Sequence, residues 1–267
     1  MNKYKAIIIG TVAVFLITSN AQAQFGGLLQ KAKDRAAQKA GEMMDGKKEP
    51  KTEPVSGNKR LKVNAAFDFS SGDSVLFVES FSAVPAGATV RSLKTNGSAT
   101  VATLDDMPGK WLLMEANATY RLTKQLFYPK RFTVEFDIIV AADKVSDVDP
   151  VIFGFTNDNS VRGYIQQDGA HTTLQYYNND DIVVGNAHGK YLSTNFDLTP
   201  YNNRSMHVSI MVDGDRFVLY LDKTKITDTE LFLPSETKNF YLSAPLSYHN
   251  GAKVLIGNLR IAGFRKV

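Results

Sequence analysis

The sequence predicts an all-β antiparallel sandwich that is preceded by a short helical arm. From residue 61 onward, short alternating runs are separated by turn residues, and no helical pattern of useful length lies among them. The chain has 267 residues, 43% of them hydrophobic, and no cysteine. An ordinary hydrophobic core must therefore hold the fold together, without disulfides or thiolate metal sites. Many strands and few helices are typical of a single sandwich domain.

Residues 1–23 are predicted to be a secretory signal peptide. Lys3 and Lys5 precede an uncharged, mostly apolar run at residues 6–18, and an A-x-A cleavage motif ends at Ala23. The apolar run is too short to cross about 30 Å of hydrocarbon comfortably. We therefore expect an exported chain with no transmembrane segment after cleavage. Its expected location is the periplasm, the outer membrane or the outside of the cell.

Residues 24–45 form the predicted amphipathic helical arm, and residues 46–60 form a flexible linker. In the arm, apolar side chains, most of them alanine, recur at spacings of three and four between charged ones. The linker is rich in Pro, Lys and Glu and has no apolar period. Residues 25–45 could contact a membrane surface or a partner, or they could form a solvated tail.

The positive charge is concentrated ahead of the β domain, which spans residues 61–267. Residues 24–61 hold nine basic and five acidic side chains, whereas residues 62–267 hold 20 basic and 22 acidic ones. A nucleic-acid-binding domain needs a basic face on its folded part. The nearly neutral balance therefore predicts no nucleic-acid partner.

The β domain is expected to contain at least nine strands. The segments are 75–78, 111–114, 132–139, 152–155, 164–167, 172–177, 207–212, 217–221 and 254–261. Asp168-Gly169 and Asp213-Gly214 are hairpin turn signals, and a further polar turn follows at Asp222-Lys223. In the last strand, simple alternation predicts one face made of Val254, Ile256, Asn258, Arg260 and Ala262.

The order of several short motifs resembles the laminin-G-like or concanavalin-like jelly roll. The motifs are Phe67-Asp68-Phe69, residues 72–77, Lys110-Trp111-Leu112, residues 132–140 and the last strand. The arrangement is also similar to the domain that precedes the peptidoglycan-binding module in outer membrane protein A-family proteins of Bacteroidetes. The resemblance implies a jelly roll whose closing strand lies beside the first. It does not extend to the peptidoglycan-binding module, so peptidoglycan anchoring is not implied.

Glu135 and Asp137 are the candidate catalytic residues. They lie two positions apart on a strand and therefore point to the same face. Laminarinase-type glycoside hydrolases share the jelly roll and place an E-x-D-x-(x)-E triplet on such a strand, because a retaining mechanism needs two carboxyl groups about 5 Å apart. Ile139 and Val140 stand where the acid/base Glu is needed. We therefore expect a solvated or rim-facing strand rather than this catalytic site.

A polar and aromatic group on neighbouring strands is the candidate glycan-binding site. Aromatic faces can stack on sugar rings, while amide and carboxylate groups bond to sugar hydroxyls. The residues that we expect on one concave sheet are Tyr164, Gln166, Gln175, Tyr177, Asn178 and Asn179. The alternative is an ordinary solvent-facing sheet that carries tyrosines. Trp111, the only tryptophan, is expected in the core rather than on a sugar platform.

Asp143, Asp147 and Asp149 form an acidic loop whose oxygens could hold a structural Ca²⁺. Their spacing is less diagnostic than that of an EF-hand loop, so a charged surface turn is the expectation and no cofactor is predicted. The four histidines are scattered without the i, i+4 pairing that a helical zinc site would show.

These features predict an exported, non-catalytic binding protein of the bacterial cell envelope that recognises a glycan or another envelope component through its concave sheet. One alternative is a structural or interaction protein that binds another envelope protein. A second is a carbohydrate-active hydrolase, including the keto-disaccharide hydrolases that share the fold. A fold does not fix a function, so the geometry of the site must decide among them.

Overall fold

The computed structural model describes residues 67–161, 169–234 and 236–265. The predicted signal peptide, arm and linker lie outside these residues, as do Tyr164 and Gln166. In chain order the strands are β1 (Ser74–Glu79), β2 (Leu93–Thr95), β3 (Ala99–Leu104), β4 (Met107–Met114), β5 (Thr119–Leu122), β6 (Arg131–Ala141), β7 (Val151–Thr156), β8 (Gly169–Gln175), β9 (Asp181–Asn186), β10 (Tyr191–Asn195), β11 (Ser205–Asp213), β12 (Arg216–Leu221), β13 (Thr224–Glu230), β14 (Asn239–Ser243) and β15 (Lys253–Gly263). Single-turn 3-10 helices lie at Val145–Asp147, Tyr176–Asn178 and Thr199–Tyr201. The described part of the chain has no helix with the length and apolar character that a membrane crossing requires.

The strands form two antiparallel sheets. The first sheet has the order β13-β12-β11-β6-β15, and the far edge of β15 pairs with β4 in its first half and with β1 in its second half, with β3 beyond β4. The second sheet has the order β10-β9-β8-β7-β14-β5-β2. Consecutive strands such as β5 and β6 lie in different sheets. The predicted antiparallel jelly-roll sandwich is confirmed, and the closing strand does lie beside the first.

The core lies between the two sheets and is built by alternation along each strand. On β6, Phe132, Val134 and Phe136 are buried and face inward. The ring of Phe136 packs edge-on against Phe153 of the second sheet, with the ring centroids 5.2 Å apart. Burial of one such side chain stabilises the fold by about 1.5–3 kcal/mol. Because successive side chains alternate, Glu135 and the residues two positions away, Thr133 and Asp137, must face away from the core.

The predicted hairpin at Asp213-Gly214 is confirmed, because β11 and β12 pair directly across it. Gly214 has φ +65°, a left-handed conformation in which glycine carries no steric cost. The polar turn that follows at Asp222 also has a positive φ, of 50°, and leads into β13. These two turns place β11, β12 and β13 side by side in the first sheet.

The hairpin signal at Asp168-Gly169 is misleading. Gly169 is the first residue of β8 and pairs with Thr156 of β7. A Cβ at this position would overlap the carbonyl oxygen of Phe155, so the glycine serves a close approach of two strands instead of a turn. The predicted strand at residues 172–177 is also too long, since β8 ends at Gln175 and Tyr177 lies in a 3-10 turn.

The predicted face of the last strand is wrong because β15 contains a β-bulge. The pairing with β6 shifts between Gly257 and Arg260, and Asn258 has φ +50°. The extra residue switches the alternation, so Leu259 and Ile261 join Val254 and Ile256 in the core. Arg260 is thereby directed to the outer face, opposite Glu135.

Two groups cover the outer face of the first sheet. Trp111 is buried, as predicted, but it packs with Ile139 and Leu255 in a small cluster that is separate from the main core. The segment Phe67–Gly72, which we call the strap, crosses the same face ahead of β1. It is not a strand: its rings contact Tyr220, and the backbone N–H of Gly72 donates to Thr133 Oγ1 at 3.1 Å.

Candidate functional site

Glu135 and Asp137 lie on the outer face of the first sheet, on the same side of β6. Their side chains are only 13% and 17% exposed, so they do not form the solvated strand surface that the sequence suggested. Cross-strand pairing places Ser209 and His207 of β11 directly opposite them. On the other side, the bulge of β15 brings Arg260 opposite Glu135. The two carboxylates are therefore the centre of a polar cluster contributed by three adjacent strands.

Asp137 is held by two side chains from its neighbouring strands. Its Oδ1 lies 2.6 Å from Nδ1 of His207, and its Oδ2 accepts a hydrogen bond of 2.6 Å from Asn258 Nδ2. The hydrogen bond to Asp137 raises the pKa of His207, against the opposing effect of partial burial. Short hydrogen bonds to a carboxylate are among the stronger ones in proteins.

Glu135 is held from two directions. Arg260 Nη1 donates to its Oε1 at 3.0 Å, and the hydroxyl of Ser71, in the strap, donates to its Oε2 at 2.7 Å. Arg260 also donates from Nη2 to the carbonyl oxygen of Gly72 at 2.7 Å. One arginine therefore fixes both the carboxylate and the strap that crosses it.

Asp222 supports His207 from the turn between β12 and β13. Its Oδ1 accepts the backbone N–H of His207 at 2.8 Å, and its Oδ2 accepts the hydroxyl of Tyr201 at 2.9 Å. Burial and the bond to Asp222 raise the pKa of Tyr201 to about 12, so the phenol remains a donor at neutral pH. His207 is thus held at its backbone N–H and at Nδ1, and Nε2 takes part in neither of these bonds.

A cavity of about 640 Å³ opens between the strap and this cluster. We call it the strap cavity. Its walls combine aromatic rings, carboxylates, hydroxyls and two basic groups, and they consist of Phe67, Phe69, Ser71, Glu135, His207, Ser209, Asp222, Lys223 and Thr224. The side chain of His207 is 41% exposed, which makes it the reachable member of the cluster. Ser209 is buried, and its Oγ has no hydrogen-bond partner among the described residues.

The strap is fastened beside this cavity by Asp68. Its carboxylate accepts the hydroxyl of Tyr220 at 2.7 Å and the ammonium group of Lys225 at 2.8 Å. The bond from Lys225, followed by that from Tyr220, lowers the pKa of Asp68 to about 2. Phe67 and Phe69 pack edge-on against the Tyr220 ring at centroid distances of 5.4 and 5.6 Å. The aromatic wall of the cavity is therefore held in place by both ring packing and charge.

The third carboxylate of a laminarinase-type triplet has no counterpart at the positions after Asp137. Ile139 lies on the outer face but packs on Trp111, and Val140 points into the core. Neither side chain can transfer a proton. Glu135 is also engaged by Arg260 and Ser71, which suits a hydrogen-bonding role better than nucleophilic attack.

Four of the six residues of the candidate glycan site, Gln175, Tyr177, Asn178 and Asn179, lie within the described part of the chain. Gln175, at the end of β8, accepts hydrogen bonds from the Tyr177 hydroxyl at 2.6 Å and from Asn178 Nδ2 at 3.2 Å. Tyr177 is 48% exposed, and Asn179 adopts φ +69° in the turn after it. The side chains of Gln175, Tyr177 and Asn178 bond to one another around a 3-10 turn at the end of β8, which lies between β7 and β9 in the second sheet. They lie away from the strap cavity, whose lining comes from the first sheet, the strap and the turn after β12.

Two carboxylates of the candidate calcium loop, Asp147 and Asp149, accept hydrogen bonds from within the protein. Asp147 accepts the backbone N–H of Lys144 at 3.2 Å and the side chain of Asn250 at 2.8 Å. Asp149 accepts both the backbone N–H and the hydroxyl of Ser247, at 3.0 and 2.6 Å. Within the described ranges, no three acidic, histidine or cysteine side chains converge as metal ligands would.

Sequence reasoning missed the partners that complete the cluster, namely Ser71, His207, Asn258 and Arg260. The alternation of β11 places His207 and Ser209 on the outward face, which was readable. The pairing of His207 with Asp137, however, joins residues 70 positions apart. Only the strand order reveals this contact, and local sequence patterns do not encode it.

A second cavity, of about 650 Å³, lies elsewhere on the domain. It is formed by residues 125–130 together with Phe132, Gly214, Asp215, Pro234, Glu236, Thr237 and Lys238. Its ammonium group on Lys238 donates to the carbonyl of Glu236 at 3.2 Å and lies 4.4 Å from the Phe232 ring centre. Much of its lining is loop, whereas Glu135 and His207 of the strap cavity lie on paired strands of the first sheet, which favours the strap cavity as a binding site.

No protein-family model matches the sequence, and no curated protein is similar to it. In structure, the chain is similar to the exoplasmic/lumenal domain of VIP36 in its Ca²⁺-bound form, with a TM-score of 0.52 and 14% identity over 67% of this chain and 86% of that chain. For the Ca²⁺/Man2-bound form the TM-score is 0.51, with 15% identity over 66% of this chain and 82% of that chain.

Two longer proteins are also similar to this chain over part of their length. An HCR/D mutant gives a TM-score of 0.50 with 14% identity over 72% of this chain and 49% of that chain. A sialidase gives 0.49 with 14% identity over 72% of this chain, which spans 19% of the sialidase. At such identities the likenesses to the VIP36 domain show the fold alone, and that fold is the concanavalin-like sandwich.

Proposed function

We propose that this concanavalin-like sandwich binds a saccharide, without converting it, in the strap cavity. The observation that carries the proposal is the composition of the cavity wall. Phe67 and Phe69 line it together with Glu135 and His207. The last two residues lie on the paired strands β6 and β11. A sugar presents apolar C–H faces and polar hydroxyl edges, and a site with rings beside charged hydrogen-bonding groups is complementary to both.

The volume of the strap cavity is suited to a ligand of the size of a small saccharide. At about 640 Å³ it falls within the range of about 300–1,000 Å³ that is common for small-molecule sites. The carboxylate of Glu135 and the imidazole of His207 are fixed by bonds on their far sides, from Arg260 and to Asp137. Groups fixed in this way lose little freedom when a ligand binds, which favours affinity.

Binding without chemistry is the version of the proposal that the residues support. The positions after Asp137 hold Ile139 and Val140, so the strand lacks the proton donor of a laminarinase-type hydrolase. The fold likeness to VIP36, whose domain is described in a Ca²⁺/Man2-bound form, agrees with a sugar ligand. We further propose export to the bacterial envelope, where the ligand would be an envelope or extracellular glycan.

The test is binding of the purified full chain to a panel of soluble polysaccharides and peptidoglycan fragments, with Ca²⁺ and again with EDTA. We expect saturable binding that Phe67→Ala weakens about two- to tenfold, since an aromatic contact is worth about 0.5–1.5 kcal/mol. Phe127→Ala is the matched control, because Phe127 is also an exposed ring but lines the second cavity. Its affinity should equal that of the parent chain.

Tyr177→Ala distinguishes the strap cavity from the site at the end of β8. If Tyr177→Ala abolishes binding and Phe67→Ala does not, the glycan binds at the second sheet and the strap cavity is the wrong location. If no glycan binds to the folded chain under any condition, the proposal is wrong. The next hypothesis to test is then binding of another envelope protein.

A further inference from the structure

His207 Nε2 and Glu135 Oε2 face one another in the strap cavity at a separation of 3.9 Å. This distance is too long for a direct hydrogen bond. An oxygen atom placed about 2.8 Å from each would make two hydrogen bonds of ordinary length with an angle near a right angle at that oxygen. Oε2 already accepts the hydroxyl of Ser71 and keeps a second lone pair, so the two side chains, which both line the cavity, can share one further hydroxyl group.

The proton on His207 is assigned by its other partner. Nδ1 lies 2.6 Å from Oδ1 of Asp137, and an ionised carboxylate can only accept. Nδ1 must therefore carry a proton. In the neutral imidazole Nε2 is then an acceptor, and in the imidazolium it is a donor. Protonation thus converts Nε2, the atom that faces Glu135, from a hydrogen-bond acceptor into a donor.

A saccharide hydroxyl has one proton to donate and can accept at the same time. Between a protonated His207 and the carboxylate of Glu135, it accepts from one and donates to the other. Between a neutral His207 and the same carboxylate, it meets two acceptors and can satisfy only one of them. An acceptor that the bound saccharide covers from water and leaves without a partner costs free energy, so the second arrangement binds more weakly.

We propose that His207 and Glu135 form a two-point subsite for a saccharide hydroxyl, and that the subsite accepts the hydroxyl fully only when the imidazole is protonated. This inference rests on the proposed function and specifies the atoms and the pH range at which the same site works. It makes binding tighter in acid than in mild alkali.

The charges around the imidazole act in the required direction. Asp137, Glu135 and Asp222 all face His207, and the hydrogen bond to Asp137 is the main reason that its pKa is raised. Arg260 forms an ion pair with Glu135 at Oε1, and Lys223 is among the residues that line the cavity. Affinity should be full below the pKa of His207 and fall as the pH rises through it. By linkage, a bound hydroxyl should raise that pKa further.

The experiment combines a histidine NMR titration of the full chain with binding isotherms between pH 5 and 9. The probes are α-mannobiose, cellobiose and N,N′-diacetylchitobiose. We expect a loss in affinity of about tenfold or more across the titration of His207, since one hydrogen bond to a charged group is removed. We also expect the bound probe to move the His207 midpoint to higher pH.

Three variants separate the parts of the inference. Asp137→Asn keeps an acceptor for Nδ1 but removes the charge, so the midpoint of His207 and of the binding curve should both move to lower pH. His207→Gln offers a donor and an acceptor at every pH, so its binding curve should be flat. His249→Gln is the matched control, because that imidazole lies 3.8 Å from Asp149 and outside the strap cavity. Its pH profile should follow the parent chain.

The outcomes distinguish the inference from the function on which it rests. If a probe binds with the same affinity across the titration of His207, the subsite is wrong and saccharide binding stands. If His207 titrates as expected but no probe binds or moves its midpoint at any pH, both saccharide binding in the cavity and the subsite are wrong. Circular dichroism of each variant shows whether it is folded, so an unfolded variant is not scored.

Discussion

Gly257 lies opposite Asp137 on β15, directly beneath the ring of Trp111. A Cβ at this position would lie 2.5 Å from Cε3 and Cζ3 of the indole, which is well inside van der Waals contact. The backbone of residue 257 is ordinary extended chain, so space and not conformation requires the glycine. The close approach lets the tryptophan cover the sheet beside the polar cluster without displacing Asp137.

We expect Gly257→Ala to lower the free energy of unfolding by about 1–3 kcal/mol, as overpacking of a filled site does. Because the indole ring is what the new Cβ would meet, the same glycine substitution should cost much less in a Trp111→Leu background, where the ring is removed. Urea denaturation of the four chains in this double-mutant cycle measures the coupling. Equal costs in both backgrounds would show that the ring is not what excludes the Cβ.

At the scale of elements, the sequence predicted the strands that alternate and missed the places where alternation is interrupted. Residues 132–139 and 207–212 were placed correctly because apolar side chains recur at every second position along them. The same rule failed on β15, since a bulge adds one residue that no local pattern marks. It also misread Gly169, because a glycine in a tight strand pair and one in a turn look alike in the sequence.

The sequence predicted only part of the polar cluster, for a related reason. Alternation places Glu135 and Asp137 on one face, but their partners come from β11, β15 and the strap, far along the chain. Short strands such as β2 and β5, of three and four residues, were missed because so few residues give no period. What a strand pairs with is decided by the packing of the whole sandwich, which local signals do not report.

The bulge of β15 supplies a test at this scale. Asn258 is the extra residue, so its deletion should restore regular alternation and leave Leu259 in the core and Arg260 opposite Glu135. Deletion of Leu259 shortens the strand equally but forces Asn258 inward. We expect the first variant to fold with a loss of about 1–2 kcal/mol, mainly the bond to Asp137.

The second deletion should cost about 2–5 kcal/mol, because it removes a buried leucine and buries an amide in its place. Chemical denaturation of both variants makes the comparison, and the NMR signal of His207 reports whether the cluster survives. If the two deletions were equally damaging, the bulge would be an essential feature of the sheet instead of an insertion into a regular strand.

At the scale of the whole molecule, the sandwich depends on segments that tie its two sheets together at their ends. The loop between β6 and β7 passes from the first sheet to the second, and the loop between β14 and β15 returns. Asp147 and Asp149 in the first loop accept hydrogen bonds from Asn250 and Ser247 in the second. The acidic loop that resembled a calcium site therefore joins the two crossings.

This assignment predicts how the protein responds to calcium and to loss of one carboxylate. Asp147 is buried and bonded twice, to Lys144 and Asn250, so Asp147→Ala should lower the free energy of unfolding by about 1–3 kcal/mol. Asp143→Ala, in the same loop, should change it by less than about 0.5 kcal/mol, as surface substitutions usually do. For each of the three chains, thermal unfolding should give the same midpoint in Ca²⁺ as in EDTA. A midpoint that rises with Ca²⁺ in the parent chain and not in Asp143→Ala would instead assign these carboxylates to a metal, since a ligand that binds only the folded state must stabilise it.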